Sequence, residues 1–131
     1  MTDLVRVAKA FADPTRVRIL AALRGRELCV CDLCEGLGVG QSTLSTHLQV
    51  IRDAGLVNTR KQGKWVYYAP NPIKDPLVTV VFEFFGEALQ KDRLIARDAR
   101  ALRQVKSRCD VAPDCCSETP AVGKRRKAPR P

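Results

Sequence analysis

Histidine is nearly absent from this chain: one residue in 131, His47. A single imidazole, with no nucleophile and orienting acid set around it, leaves the usual acid–base and nucleophilic catalysts without their parts, so an enzyme is not expected. Long apolar runs are missing as well. The opening MTDLVRVAKAFADPTR is interrupted by charge every few residues, and no stretch approaches the ~18 uninterrupted apolar residues of a membrane span. No export signal accompanies the six cysteines. A disulfide framework is therefore not expected, whereas a cytoplasmic setting with thiols available for metal or redox chemistry is, and no membrane partner.

What is present fits one domain with trimmings: 45% apolar residues can fill a core, and 28% charged residues cover a surface. The net charge of +9 is unevenly placed. Lys124, Arg125, Arg126, Lys127 and Arg130 supply five of the cations, leaving 18 basic against 14 acidic residues before them. The body is mildly basic, which suits a polyanion without proving one.

Residues 2 to 11 read as a first helix with Thr2 as N-cap. Asp13-Pro14 opens a second, whose apolar positions Val17, Ile19, Leu20 and Leu23 run to Gly25. Residues 31 to 37 make a short third helix. After the turn Gly38-Val39-Gly40, residues 41 to 54 carry Leu44, Leu48 and Ile51 on one face. Two helices joined by a three-residue glycine turn are the helix-turn-helix signal. Residues 56 to 60 and 65 to 69 then read as strands around Lys61-Gln62-Gly63-Lys64, a hairpin with a basic tip in the place of a wing. From Asp75-Pro76 one long helix is expected, apolar at 77, 81, 84, 85, 88, 95, 99 and 102. A small domain cannot bury that whole stripe, so homodimerisation through it and the first helix is expected to cover Phe82, Phe84 and Phe85. The fold class is thus mainly α with a small β-hairpin, a winged helix-turn-helix homodimer. Residues 1–108 form the domain, and 109–131 form a cysteine-containing basic tail expected to be disordered.

With Leu44, Leu48 and Ile51 facing the core, Gln41, Ser42, Thr43, Ser45 and Thr46 occupy the exposed start of the fourth helix. Their side chains hydrogen-bond base edges or phosphates, and a helix N-terminus favours phosphate. His47 joins this group as a packed or phosphate-contacting residue rather than a metal ligand. Arg60, Lys61 and Lys64 on the hairpin add positive charge beside the same duplex, giving affinity without reading sequence. The expected partner is double-stranded operator DNA.

Cys29, Cys31 and Cys34 fall within six residues. On a helix Cys31 and Cys34 stand at i and i+3, about 5–6 Å apart at Cβ, and Cys29 joins them by bending the first turn. Three thiolates without histidine or carboxylate suit a soft ion. As(III) takes a three-sulfur pyramid, with Sb(III) or another thiophilic ion as alternatives, while zinc ordinarily takes a fourth ligand. The helix start, Arg24 and Arg26 are expected to lower the thiol pKa values. A second possible group is Cys109, Cys115 and Cys116.

The stretch Glu27-Leu28-Cys29-Val30-Cys31-Asp32-Leu33-Cys34 resembles the arsenic-sensing motif of the ArsR family of bacterial metalloregulators. Asp13-Pro14-Thr15-Arg16 with Ile19-Leu20, Ser45-Thr46-His47-Leu48, and Gly63-Lys64-Trp65-Val66-Tyr67-Tyr68 resemble its opening signature, recognition helix and wing, so the likeness runs from about residue 2 to 105. The resemblance implies a dimeric repressor on a palindromic operator, released when As(III) binds at the third helix and distorts the adjoining recognition helix. Family branches that sense zinc use histidine in the dimer helix, and residues 76–108 hold none; cadmium and lead branches add cysteines near the N-terminus, and none precedes Cys29. Two rivals are a repressor whose thiols oxidise rather than coordinate and a thiol oxidoreductase. The latter needs a βαβ pattern that these helical surroundings lack.

Overall fold

The computed structural model describes residues 1–105. Cys109, Cys115, Cys116 and the basic run at 124–130 lie outside the described residues. The chain order is α1 (Thr2–Ala10), α2 (Pro14–Ala22), β1 (Leu28–Cys29), α3 (Val30–Leu37), α4 (Gln41–Asp53), β2 (Val57–Gln62), β3 (Trp65–Pro70), α5 (Asp75–Phe84), α6 (Gly86–Lys91) and α7 (Arg93–Gln104).

Asp13 starts α2 as expected. Its carboxylate accepts the backbone N–H groups of Thr15 at 2.8 Å and Arg16 at 3.3 Å, ahead of Pro14, whose missing N–H costs nothing at a first helical position. Thr2, by contrast, lies inside α1, which begins without a side-chain cap. α3 ends on Gly38 at φ 66°, a left-handed conformation that glycine adopts without a Cβ clash, and its N–H reaches back to the Cys34 carbonyl. The chain then turns directly into α4.

Ile19 and Leu23, Leu33 and Leu37, and Leu44, Leu48 and Ile51 meet in one core between α2, α3 and α4, each almost wholly buried. Leu56, Val57 and Tyr68 close it from the sheet. That sheet has three antiparallel strands in the order β1-β3-β2, rather than the hairpin alone. Leu28 pairs with Tyr68 and Cys29 with Tyr67, while Val57 to Gln62 pair with Pro70 to Trp65. Gly63-Lys64 makes the turn, shorter than the tip expected, with Gly63 at φ 62°.

The long helix expected from residue 75 is three helices. Helical geometry fails at Phe85 before Gly86 and again at Asp92, which is extended and caps α7 by accepting the N–H groups of Leu94 and Ile95. These breaks let α7 return onto α2 and α3. Asp98 takes two hydrogen bonds from Arg18, at 2.7 Å and 3.0 Å, and Arg18 and Arg97 both donate to the Leu37 carbonyl at the end of α3. Leu102 packs so closely over Gly36 that a Cβ there would overlap its side chain. The apolar positions of α7 are therefore partly covered within the chain. Phe82 also differs from expectation: with Val78 it faces the core, and Arg24 lies over its ring at 5.2 Å. Leu77, Val80 and Phe84 form the opposite, open face of α5, while Leu4 and Val5 are exposed on α1. Lys74 bonds Asp3 at 2.7 Å, setting the starts of these two helices side by side. Among the described residues no helix is long and apolar enough to cross a membrane.

Candidate nucleic-acid interface and thiol site

Burying Leu44, Leu48 and Ile51 turns the rest of α4 outward. Ser42, Thr43 and Thr46 are exposed at its start, and Gln41 and Ser45 are half-buried beside them. Thr46 donates its hydroxyl to the Ser42 carbonyl at 3.1 Å, leaving its oxygen's lone pairs to accept. His47 is turned inward: Arg16 meets its Nδ1 at 3.0 Å, and Asp13 stands 3.9 Å away. His47 thus joins α4 to the start of α2, a positioning role that its neighbours in sequence do not reveal.

The three wing cations are not equivalent. Arg60 is held by Glu27 through Nε at 3.0 Å and Nη2 at 2.6 Å, and lies over the Tyr67 ring at 4.7 Å. The bonded Glu27 carboxylate raises the Arg60 pKa, and Arg60 in turn holds Glu27 below the usual carboxylate range. Lys61 and Lys64 are exposed at the tip. Strand alternation sends Lys61 to the opposite sheet face from Arg60.

The three cysteines divide. Cys29 is the N-cap residue of α3 and is wholly buried; Cys31, 1% exposed, clusters with it beneath Trp65 and Tyr67. Cys34, half-buried, packs against the main core instead. Cys34 is a free thiol, whereas Cys31 is disulfide-bonded. Among the described residues no three histidine, cysteine, aspartate or glutamate side chains stand ready to hold a metal. The expectation of lowered thiol pKa values fails at Cys34. Burial pushes it up to about 11, and the nearby Cys29 adds to the rise. The cations invoked for that lowering are turned elsewhere: Arg24 donates to Thr79 Oγ1 at 3.0 Å and Arg26 to the Ala22 carbonyl at 2.7 Å.

Trp65, Tyr67 and Glu27 are the contributors that sequence reasoning missed. Alternation places Trp65 and Tyr67 on one strand face, but their partner β1 is two residues long, too short to show any period.

A two-helix unit with an exposed second helix and an adjoining basic hairpin defines a winged helix-turn-helix regulator. Residues 13–59 match the family described as bacterial regulatory protein, arsR family. The chain is 37% identical over 113 residues to the arsenic resistance transcriptional regulator ArsR2 of Pseudomonas putida, covering 84% of this chain and 95% of that one. It belongs to the ArsR family. It is also 46% identical over 69 residues to the arsenical resistance operon repressor of Escherichia coli, 52% of this chain. There the match spans 59% of the relative's length, less than two thirds of that protein. Among solved structures, the homodimeric winged helix-turn-helix DNA-binding domain Mb0332 of Mycobacterium bovis is 29% identical, with a TM-score of 0.62 over 70% of this chain and 86% of that one. All three are named as regulators or repressors, or as a DNA-binding domain, the class that the sequence reading placed ahead of a thiol oxidoreductase.

Proposed function

We propose that this chain is a homodimeric repressor that binds operator DNA through α4 and the wing and leaves it when trivalent arsenic binds the thiols of Cys29, Cys31 and Cys34. The observation carrying the proposal is the placement of three cysteines at the start of α3, Cys29 as its N-cap and Cys31 and Cys34 within it, in the helix that runs through Gly38 straight into α4. The names of the Escherichia coli and Pseudomonas putida relatives support arsenic as the inducer. Gln41, Ser42, Thr43, Ser45 and Thr46 supply the groove contacts, with Lys61 and Lys64 on neighbouring phosphates.

The donor set fits the inducer chemically. Arsenite enters as As(OH)₃, and each thiol that replaces a hydroxyl forms one As–S bond while its proton leaves with that hydroxyl as water. Three exchanges release three waters and no net proton, so a protonated Cys34 is no obstacle. Cys31 takes part in its reduced form. Sb(III) is the natural competitor for the same three sulfurs.

The test is fluorescence anisotropy on the chain's own upstream promoter DNA under reducing conditions, with and without arsenite. Arsenite is expected to release the wild type, whereas the double variant Cys29→Ser/Cys31→Ser keeps DNA affinity and ignores arsenite. Indifference of the wild type to arsenite would remove the inducer assignment. A second reading has its own observation, the disulfide at Cys31: thiol oxidation in place of coordination. It predicts release by a mild oxidant, reversed by a small dithiol.

A further inference from the structure

Cys29 and Cys31 are 0% and 1% exposed, so an incoming solute must move something to reach either sulfur. The partly buried apolar side chains packed on the pair are Trp65 and Tyr67. Both belong to β3, the returning strand of the wing, and two residues apart they share one sheet face. Cys29 pairs with Tyr67 across β1–β3, and Tyr67 pairs with Arg60 across β3–β2. Directly opposed residues of antiparallel strands send their side chains to the same face, so thiol, phenol ring and guanidinium form one row across three strands. The row closes on itself at Glu27, next before β1, which holds Arg60 by two hydrogen bonds.

We propose that Trp65 and Tyr67 are positioning residues that convert occupation of the thiol pair into movement of the wing. The inference rests on the thiol-site reading above and adds the route by which the signal leaves the site. Packed interiors hold no spare volume for an arsenic atom, so the covering rings must yield when it arrives. β1 contributes only two residues to the ladder, and it is the part of the sheet adjoining the site. Displacing Tyr67 removes the surface on which Arg60 lies and loosens the clamp to Glu27, and the hairpin carrying Lys61 and Lys64 shifts with it. α4 is seated in the main core through Leu44, Leu48 and Ile51, the core against which Cys34 packs, so the wing route leaves from the Cys29 and Cys31 side of the site.

Trp65 is the chain's single tryptophan, so its emission reports on this cover alone. The full reduced chain is titrated with sodium arsenite, following Trp65 emission and, in parallel, the anisotropy of labelled promoter DNA. In the wild type the emission maximum is expected to move to the red with the midpoint of DNA release, and DNA affinity to fall roughly 5- to 150-fold. Tyr67→Leu and Trp65→Leu are expected to bind arsenite by calorimetry, yet their ratio of DNA affinities without and with arsenite falls towards unity. Tyr67→Phe, which keeps the ring, restores the ratio. Taking the ratio within each variant cancels any change in basal affinity, and if a leucine variant fails to fold, the wild-type emission still decides. An unmoved Trp65 in a wild type that arsenite releases, or leucine variants released like the wild type, overturns the wing route and leaves the thiol reading standing. A wild type that neither binds arsenite nor leaves DNA overturns the thiol reading and this inference with it.

Discussion

A cation's value to a polyanion depends on what already holds it, and the wing separates its three on that ground. Arg60 is spent on Glu27 and Tyr67, whereas the Lys61 and Lys64 side chains are exposed at the turn. Replacing both lysines with alanine is therefore expected to weaken binding to every DNA sequence alike and to lower the dependence of log K on log salt by roughly one per lost phosphate contact. Arg60→Ala should change that slope far less, because its charge is already countered. Anisotropy titrations across a potassium chloride series check both, and a change confined to sequence preference would remove the wing from the phosphate role. The three cations read alike in sequence because Glu27 lies 33 positions from Arg60, and only the β1–β3–β2 order brings the two together.

Among the secondary-structure elements, α7 holds the end of α3. Arg18 bridges Asp98 and the Leu37 carbonyl, and its side chain is 11% exposed. Asp98→Ala leaves a buried guanidinium without its counter-charge and is expected to cost about 3 kcal/mol in urea denaturation. Wild-type stability in that variant would mean that α7 contributes little beyond apolar cover. The apolar spacing over 77 to 102 suggested a single helix because helical period persists across Gly86 and Asp92. The interruption was nevertheless written there: glycine weakens a helix, and aspartate two and three residues ahead of free N–H groups starts a new one. Asp98 interrupts the apolar stripe it sits in, and nothing along the chain shows that Arg18 awaits it across 80 residues.

In the whole molecule, α1 and α5 each leave apolar side chains exposed, Leu4 at 70% on α1 and Leu77, Val80 and Phe84 at 42%, 61% and 80% on α5. A second copy of the chain is the proposed cover, since the homodimeric repressor proposed above would present one recognition helix to each half of a two-fold operator. Leu77→Glu/Phe84→Glu is expected to sediment as a folded monomer with much weaker operator binding; a dimer that persists would place the interface elsewhere. Local signals alone determined the helix-turn-helix: capping at Asp13, the glycine turn at 38–40, the stripe of Leu44, Leu48 and Ile51, and the clustering of three cysteines all act between near neighbours in the chain. Tertiary structure decided what those residues meet. It enclosed Cys29 and Cys31 under wing aromatics, set Cys34 against the core, turned His47 inward and folded α7 back onto α3, because strand pairing and buried ion pairs join residues that chain spacing cannot relate.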